Sequence, residues 1–180
     1  TAFHKDKKTG SCDGELLFTD YGISGPVIFN LSYLTALYNN LIFSVDFMPK
    51  YDYETLLGML KERRENLAHL TMENFFNGAL NKKLGQLISK RSGIEKLSLP
   101  VRNLSDENIR KLTELIKNYK IKVLETTGFK NAQVTAGGIL TEEINNETLE
   151  SKKVKDIYFA GEVLDLFGDC GGYNLQWAWA

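Results

Sequence analysis

Residues 156–180, with the sequence DIYFAGEVLDLFGDCGGYNLQWAWA, decide how the rest of the chain is interpreted. The stretch begins with an apolar run at 157–160, which is typical of a strand buried on both faces. A loop rich in Asp and Gly follows, and residues 171–174 lead into an apolar segment that is expected to begin a helix. A strand, a glycine-bearing loop and a helix N-terminus can place backbone N–H groups against an anionic or electron-rich ligand. The stretch therefore predicts a ligand site, and its end inside an expected helix indicates a piece of a larger protein.

The composition limits the class of protein. The 180 residues include 22 basic and 23 acidic side chains, so the net charge of −1 predicts no general attraction to nucleic acid or to membrane surfaces. There is no apolar run of membrane-spanning length and no signal-peptide pattern. With two cysteines far apart in sequence and two histidines, we expect neither a disulfide framework nor a metal site. These features predict a cytoplasmic protein with reduced thiols.

The first 50 residues favour strands. Residues 15–19 and the alternating run 41–48 predict two of them, the second half-buried. Between these runs, Pro26 suits the first position of a helix, with Ser24 or Gly25 as its cap. The glycines before Pro26 could bind an anion, but a tight strand-to-helix turn is the favoured interpretation.

Residues 52–119 change to helical periodicity. Apolar stripes begin near Leu56, Met72 and Ile109, and Thr71 and Ser105 are placed as N-caps of the second and third stripes. The stripe that starts at Met72 is expected to continue as far as Ile88. Its Met and aromatic side chains could line a ligand pocket, but core packing is favoured. The block therefore predicts a small helical subdomain.

This block also contains a group of basic side chains that could contact nucleic acid. Acidic residues lie nearby and no nucleic-acid-binding motif accompanies them, so a solvated face is the favoured interpretation. The group consists of Lys82, Lys83, Lys90, Arg91, Lys96 and Arg102.

Strand-like patterns return after the helical block. Residues 121–126 alternate, and a short β-like run at 131–139 contains the pair Gly137-Gly138, which permits positive φ or a close backbone approach. Helices set between strand-rich flanks predict an α+β fold in which the helical block is an insertion.

Three stretches resemble the BaiN-like family of bacterial NAD(P)/FAD-dependent oxidoreductases, within the glutathione-reductase-type FAD superfamily. They are GELLFTDYGISGPVIFNLS (14–32), FKNAQVTAGGI (129–139) and TLESKKVKDIYFAGEVLDLFGDCGGYNLQWAWA (148–180). The last stretch is the most specific of the three. The helical block is similar to the family in position and length alone.

The resemblance implies a small β-barrel with an inserted helical subdomain, plus a C-terminal strand–loop–helix fragment of a Rossmann-like FAD domain. The barrel would comprise residues 1–50 and 120–147, the helical subdomain 51–119, and the FAD-domain fragment 148–180. A G-x-G-x-x-G turn, which would hold the cofactor pyrophosphate, does not occur in the sequence. We therefore expect the N-terminal half of the FAD domain to be a missing partner, and this chain alone to be inactive.

The resemblance also implies the site residues and the cofactors. FAD is the expected cofactor, and NAD(P)H is the expected source of hydride. Two groups of residues are expected at the flavin. The first lies in the terminal stretch and consists of Gly161, Glu162, Gly171, Gly172, Tyr173 and Asn174. The second is expected on weaker grounds, lies in the segment before it, and consists of Thr135, Gly137 and Gly138. Glu162 would accept a hydrogen bond from a cofactor hydroxyl, and the glycine loop would direct helix N–H groups toward the flavin ring. No catalytic residue can be named.

Two alternatives stay open. Cys170 adjoins the predicted loop and could be a redox partner of the flavin, although a structural thiol is favoured. The chain could also be a non-enzymatic module in which a β-barrel and a basic helical domain bind nucleic acid or protein. The favoured interpretation is a flavoprotein oxidoreductase acting on a small molecule, with neither nucleic acid nor membrane as a partner.

Overall fold

We describe the fold from a computed structural model, which covers residues 1–180. The chain forms two compact units. The strand-bearing unit consists of residues 1–42 and 122–180, and the helical unit consists of residues 43–121. None of the helices is long and apolar enough to cross a membrane. The chain thus combines strands and helices, as predicted.

Two short antiparallel hairpins begin the strand-bearing unit. β1 (Ala2–His4) pairs with β2 (Lys7–Gly10), and β3 (Leu17–Thr19) pairs with β4 (Gly22–Ser24). The two residues between β1 and β2 have φ angles of 47° and 62°, as a two-residue type I′ turn requires. The strand predicted at 15–19 is therefore confirmed as one arm of a hairpin.

The larger sheet has four strands. β5 (Ile42–Val45) and β6 (Tyr119–Lys122) complete it, and the strand order is β2–β1–β5–β6. The alternation predicted for the segment around β5 is present, because Leu41 and Phe43 are buried whereas Ile42 is exposed. The sheet ends at β2 on one side and at β6 on the other. The closed barrel that the family resemblance implies is not seen and stays a prediction.

The helix predicted to begin at Pro26 is present. α1 (Pro26–Ser32) has Pro26 in its first turn and Gly25 as its N-cap. The chain then turns at Tyr33 into the short α2 (Leu34–Leu37). Gly25 has a φ angle of 101°, and its carbonyl accepts the Ile28 N–H at 2.9 Å, so the residues before Pro26 form a tight turn that starts a helix. The alternative of an anion site here stays a prediction.

The helical unit has a core of its own. α3 (Tyr53–Asn66), α4 (Lys82–Arg91) and α5 (Asp106–Lys117) surround it, together with the segments between them. The Met and aromatic stripe is core, as favoured from the sequence, because Met72 and Phe75 are at most 1% exposed. The buried cluster consists of Leu56, Leu60, Met72, Phe75, Phe76, Ile88, Ile94, Val101, Leu104, Ile109, Leu112 and Ile116.

The prediction of one helical stripe from Met72 to Ile88 is wrong. A 3₁₀ turn spans Met72–Asn74, and the next helix, α4, begins at Lys82. Asn81 stops the pattern from continuing, because its side-chain oxygen accepts the N–H of Lys83 at 3.0 Å and caps a new helix. Thr71 occupies the N-cap position of the 3₁₀ turn, as predicted, but makes no side-chain capping bond.

The cap predicted at the start of α5 is confirmed as a reciprocal capping box. The Ser105 hydroxyl accepts the Asn108 N–H at 3.1 Å, and the Asn108 side-chain oxygen accepts the Ser105 N–H at 3.0 Å. At the start of α3, the Asp52 carboxylate accepts the Thr55 N–H at 2.7 Å. This hydrogen bond is the main reason why the pKa of Asp52 is lower than its ordinary value. Both helices thus begin with satisfied backbone donors.

Two carboxylates in the first turn of α5 are held by basic side chains. The Arg64 guanidinium contacts Asp106 at 2.8 Å, and this hydrogen bond lowers the pKa of that carboxyl. The Lys111 ammonium contacts Glu107 at 2.7 Å and lowers the pKa of Glu107 in the same way. Negative charge at this end also interacts favourably with the helix dipole.

We expect the helical unit to lose stability in acid. The pKa values of Asp52, Asp106 and Glu107 are lowered in the folded chain, so folding favours the ionised carboxylates. Their contribution is complete above the ordinary values, 3.8 for Asp and 4.5 for Glu, and is lost as the pH falls through the lowered values. Urea unfolding followed by helical circular dichroism, across a series of pH values, measures the effect.

A variant without these charges isolates this contribution. Asp52→Ser keeps a capping oxygen that does not titrate, and Asp106→Asn and Glu107→Gln keep the side-chain size. The free energy of unfolding of this triple variant should fall less steeply with acid than that of the unmodified chain. The same pH dependence in both proteins would contradict the assignment.

Candidate functional site

The apolar run at 157–160 does not form a buried strand, so that prediction is wrong. Ile157 and Tyr158 are 43% and 60% exposed. The run pairs along one edge with the segment that precedes it: the Phe159 N–H donates to the Leu149 carbonyl at 3.0 Å, and the Ser151 N–H donates to the Ile157 carbonyl at 2.8 Å. Ile157 and Tyr158 point to opposite faces, so both faces of the run are at least partly exposed.

The predicted glycine–acid pair follows this run. Gly161 has a φ angle of 75° and begins a short 3₁₀ turn, Gly161–Val163. The space next to its Cα atom is open, since no atom lies within 4 Å of the position that a Cβ atom would occupy. Glu162 is exposed. The backbone here is therefore accessible to a ligand.

The weaker group of predicted residues lies against this turn. The Glu162 carboxylate accepts the Thr135 N–H at 3.2 Å. The Asp165 carboxylate accepts the Gly137 N–H at 3.0 Å. The structure thus brings together two segments that are separated by more than 20 residues in sequence.

Backbone hydrogen bonds hold the same two segments together. The Ile139 N–H donates to the Val163 carbonyl at 2.9 Å, and the Asp165 N–H donates to the Ile139 carbonyl at 2.8 Å. These bonds accompany an isolated parallel bridge between Ile139 and Leu164. We call residues 135–139 and 161–165 together the paired segments. They form an exposed surface with two carboxylates and three glycines.

Gly138 is the position of closest approach within the paired segments. A Cβ atom built on it would lie 2.5 Å from the Val163 carbonyl oxygen and 2.9 Å from the Leu164 carbonyl carbon. Its φ angle of 154° is also one that other residues rarely adopt. The double glycine noted in the sequence is therefore explained, at Gly138, by contact with a neighbouring backbone.

The glycine loop leads into a helix, as predicted. Gly172 has a left-handed conformation (φ 90°) and is the N-cap of α6 (Tyr173–Trp179). The side chain of Asn174 closes the loop by accepting the Gly168 N–H at 2.7 Å and donating to the Gly168 carbonyl at 3.0 Å. Asn174 therefore shapes the loop, and Tyr173 projects to solvent with 64% of its surface exposed.

The two cysteines, remote in sequence, both contact the side chain of Asn30 on α1. The Cys170 N–H donates to the Asn30 side-chain oxygen at 2.6 Å, and the Asn30 side-chain nitrogen lies 3.7 Å from the Cys12 sulfur. Both thiols are free. The redox role suggested for Cys170 stays untested.

Sequence reasoning missed Asp165 and Asn30. Asp165 follows Glu162 by three residues in a loop already noted for its Asp content, which was the available signal. No local pattern in the sequence indicated Asn30, because its contact with Cys170 joins residues that are 140 positions apart.

Neither a metal cluster nor a large pocket marks the site. The structure has no group of three or more His, Cys, Asp or Glu side chains that could hold a metal ion. A shallow cleft of about 170 Å³ lies elsewhere in the strand-bearing unit, between residues 35–41 and 123–126. It contains none of the predicted site residues and is smaller than most cofactor sites, so we do not assign the flavin to it.

The chain is similar to three curated proteins along most of its length. It is 36% identical over 171 residues to the 3-dehydro-bile acid delta(4,6)-reductase of Clostridium scindens, covering 93% of this chain and 42% of the relative. It is 33% identical to the ribosomal RNA dihydrouridine synthase of Escherichia coli, and 31% identical to the protein of that name from Haemophilus influenzae. These two alignments each cover 92% of this chain and 40% of the relative. The chain thus spans about two-fifths of the length of each relative.

Two family models match the chain and together cover it. Residues 1–134 match the barrel and H2TH domain of HI0933-like proteins, and residues 110–180 match the HI0933-like Rossmann domain. The second match includes both paired segments and the glycine loop. On these matches, the chain belongs to the HI0933-like family.

Proposed function

We propose that the protein is a flavoprotein oxidoreductase and that its paired segments hold part of FAD. The observation that carries this proposal is the hydrogen bonding of residues 135–139 to residues 161–165, which brings Gly161 and Glu162 of the first predicted group together with the whole of the second group. Membership of a family with a Rossmann domain, and a relative that is named as a reductase, support it.

The residues present fit a cofactor that carries hydroxyl groups. Glu162 and Asp165 are each seen to accept one backbone N–H through one carboxylate oxygen, which leaves the second oxygen to accept a ribityl or ribose hydroxyl. The open space next to Gly161 leaves room for the cofactor to approach the backbone closely. The first intrahelical bond of α6 runs from the Gln176 N–H to the Gly172 carbonyl, so the N–H groups before it are available to a ligand. FAD, when bound, supplies the two-electron chemistry.

The finer features belong to the same proposal. NAD(P)H would reduce the protein, and an N-terminal half of the FAD domain would complete the cofactor site. Residues 148–180 would belong to that domain, residues 1–50 and 120–147 to a barrel, and residues 51–119 to its helical insertion. The protein would act in the cytoplasm, and the 180-residue chain alone would be inactive.

The names of the relatives suggest the substrate chemistry. A delta(4,6)-reductase of a 3-dehydro bile acid and a dihydrouridine synthase both, by name, saturate a carbon–carbon double bond. In both kinds of substrate the double bond is conjugated with a carbonyl group. We propose the same reaction class here, in which a hydride and a proton are added across such a bond.

Loss of the Glu162 side chain should weaken FAD binding by the whole protein. A hydrogen bond to a charged acceptor contributes about 1.5–3 kcal/mol, so Glu162→Ala should raise the Kd for FAD about 10- to 100-fold. Titration of the flavin-free protein with FAD, followed by quenching of flavin fluorescence, measures this change.

Glu142→Ala is the matched control, since Glu142 is also an exposed carboxylate of the strand-bearing unit. It should leave the Kd unchanged. An equal effect of both substitutions on the Kd would show that Glu162 does not contact FAD. A whole protein that neither carries nor takes up flavin would overturn the proposed function.

A second candidate function is reduction of uridine in ribosomal RNA. Two of the three relatives are named for this reaction, and their alignments include the helical unit with its basic residues. The expectation of no nucleic-acid partner stays a prediction, and this candidate is the alternative to it. The test incubates the reduced protein with ribosomal RNA or with a conjugated steroid ketone. Mass spectrometry of the products then shows which of the two substrates has been reduced.

A further inference from the structure

One helix of the helical unit has a one-sided charge. α4 has four basic residues and no acidic residue among its ten. The basic side chains are all exposed, whereas Gly85, Ile88 and Ser89 on the opposite face are buried. By contrast, α3 and α5 each carry as many acidic as basic side chains. We call Lys82, Lys83, Lys90 and Arg91 the α4 basic face.

The α4 basic face has few partners within the chain. Lys82 approaches the Glu73 carboxylate at 3.4 Å, and both side chains are more than half exposed. The Arg91 guanidinium lies 6.0 Å from the centre of the Tyr119 ring. No ion pair is seen for Lys83 or Lys90. In the same unit Arg64 and Lys111 are paired with carboxylates, which contrasts with Lys83 and Lys90 on α4.

Close packing fixes the orientation of this helix. A Cβ atom at Gly85 would lie 2.6 Å from the Cβ atom of Phe76, so α4 lies closer to Phe76 than any larger residue would allow. The Ser89 hydroxyl donates to the Gly85 carbonyl at 2.8 Å inside the same buried face. The basic side chains are thus held on a rigid element with their face toward solvent.

The spacing of the charges suits a nucleic-acid backbone. Lys83 and Lys90 are seven residues apart, which is about 10 Å along the helix at 1.5 Å per residue. Successive phosphates of one strand of duplex DNA rise about 3.4 Å along the axis, so a face of this length can meet more than one phosphate of a nucleic acid. Leu87, 37% exposed, is the one exposed large apolar side chain between these lysines. A helix that inserts into a membrane surface would need a wider apolar face.

We propose that the α4 basic face binds the phosphate backbone of ribosomal RNA. This proposal rests on the second candidate function, the reduction of uridine in RNA, and it identifies where that substrate is held. Contacts of this type set affinity and salt dependence and carry no sequence information. The base to be reduced would therefore be selected elsewhere in the protein.

The test compares two charge-matched triple variants of the whole protein. Lys82→Ala, Lys83→Ala and Lys90→Ala remove three charges from α4, and alanine keeps the helix because it has the highest helix propensity. Lys5→Ala, Lys7→Ala and Lys8→Ala remove three exposed charges from the first hairpin of the strand-bearing unit. Binding of a fluorescently labelled ribosomal RNA hairpin is followed by anisotropy over a range of salt concentrations. Circular dichroism and flavin absorbance verify folding and cofactor content.

The α4 variant should bind the hairpin about 10- to 100-fold more weakly at low salt. The slope of log affinity against log salt should become shallower by about two to three, since each lost phosphate contact contributes about 0.7–0.9. The hairpin variant should keep the affinity and slope of the unmodified protein. Equal losses in both variants, absence of RNA binding, or preference for phosphatidylserine vesicles over RNA would overturn the proposal. Because binding does not require flavin reduction, a protein that binds RNA through α4 but contains no FAD would refute only the proposed function.

Discussion

Gly138→Ala should separate the paired segments and weaken the FAD binding that we propose for them. The added methyl group would lie 2.5 Å from the Val163 carbonyl oxygen and 3.0 Å from the Asp165 nitrogen, and backbone atoms cannot move aside as a flexible side chain can. Overpacking of this kind, together with an unfavourable φ, costs about 2–3 kcal/mol. Hydrogen exchange at the Ile139 and Asp165 amides, which bond across the paired segments, should accelerate about 30- to 150-fold. The affinity of the whole protein for FAD should also fall.

Gly137→Ala is the matched control for this substitution. Its φ angle of 97° is also positive, but no atom lies within 4 Å of the added methyl group. The cost is then the backbone strain alone, about 1–2 kcal/mol. Exchange at Ile139 should therefore be slower than in Gly138→Ala. If the two variants exchange at the same rate, the close approach at Gly138 does not hold the segments together.

Phe75→Ala should strongly destabilise the helical unit. The Phe75 side chain is fully buried and packs edge-on against Phe76, with ring centres 4.9 Å apart. Removing such a side chain leaves a cavity and costs about 3–5 kcal/mol. That is a large fraction of the total stability of a typical domain, about 5–15 kcal/mol. Urea unfolding monitored by circular dichroism measures the loss.

Met59→Ala on α3 provides the comparison, because Met59 is 42% exposed. Its free energy of unfolding should change by no more than about 0.5–1 kcal/mol. Where Phe75→Ala does not fold at all, Phe75→Leu should give an intermediate loss. A Phe75→Leu protein as stable as the unmodified chain would show that the ring does not organise this core.

The helical unit was the part most accessible to sequence reasoning. Its apolar residues recur at helical spacing, and Ser105 lies where a cap must be, so local rules were sufficient for α3 and α5. The prediction of one stripe from Met72 to Ile88 is wrong because the helical spacing of apolar residues continues across a break between two helical segments. Asn81 provides that break by capping α4, and its effect is hard to recognise within an otherwise consistent stripe.

The candidate site was only partly predictable, because its contacts are long-range. The terminal loop and helix followed from glycines and apolar spacing. The pairing of Thr135 with Glu162 depends on carboxylate and backbone groups that come together only in the folded chain. The apolar composition of the run beginning at Ile157 predicts a buried strand, but composition does not reveal what covers the faces of a strand. Which residues bind the cofactor stays a prediction.

The pairing of β5 with β6 has a consequence for chain entropy. β5 ends at Val45 and β6 begins at Tyr119, so bringing these strands together closes a loop that contains almost the whole helical unit. For a flexible loop of that length, the length-dependent part of the closure entropy is about 4 kcal/mol at room temperature. A helical unit that has already collapsed around its own core shortens the effective loop and removes much of that cost. The pairing of β5 with β6 therefore depends on the helices enclosed between these two strands.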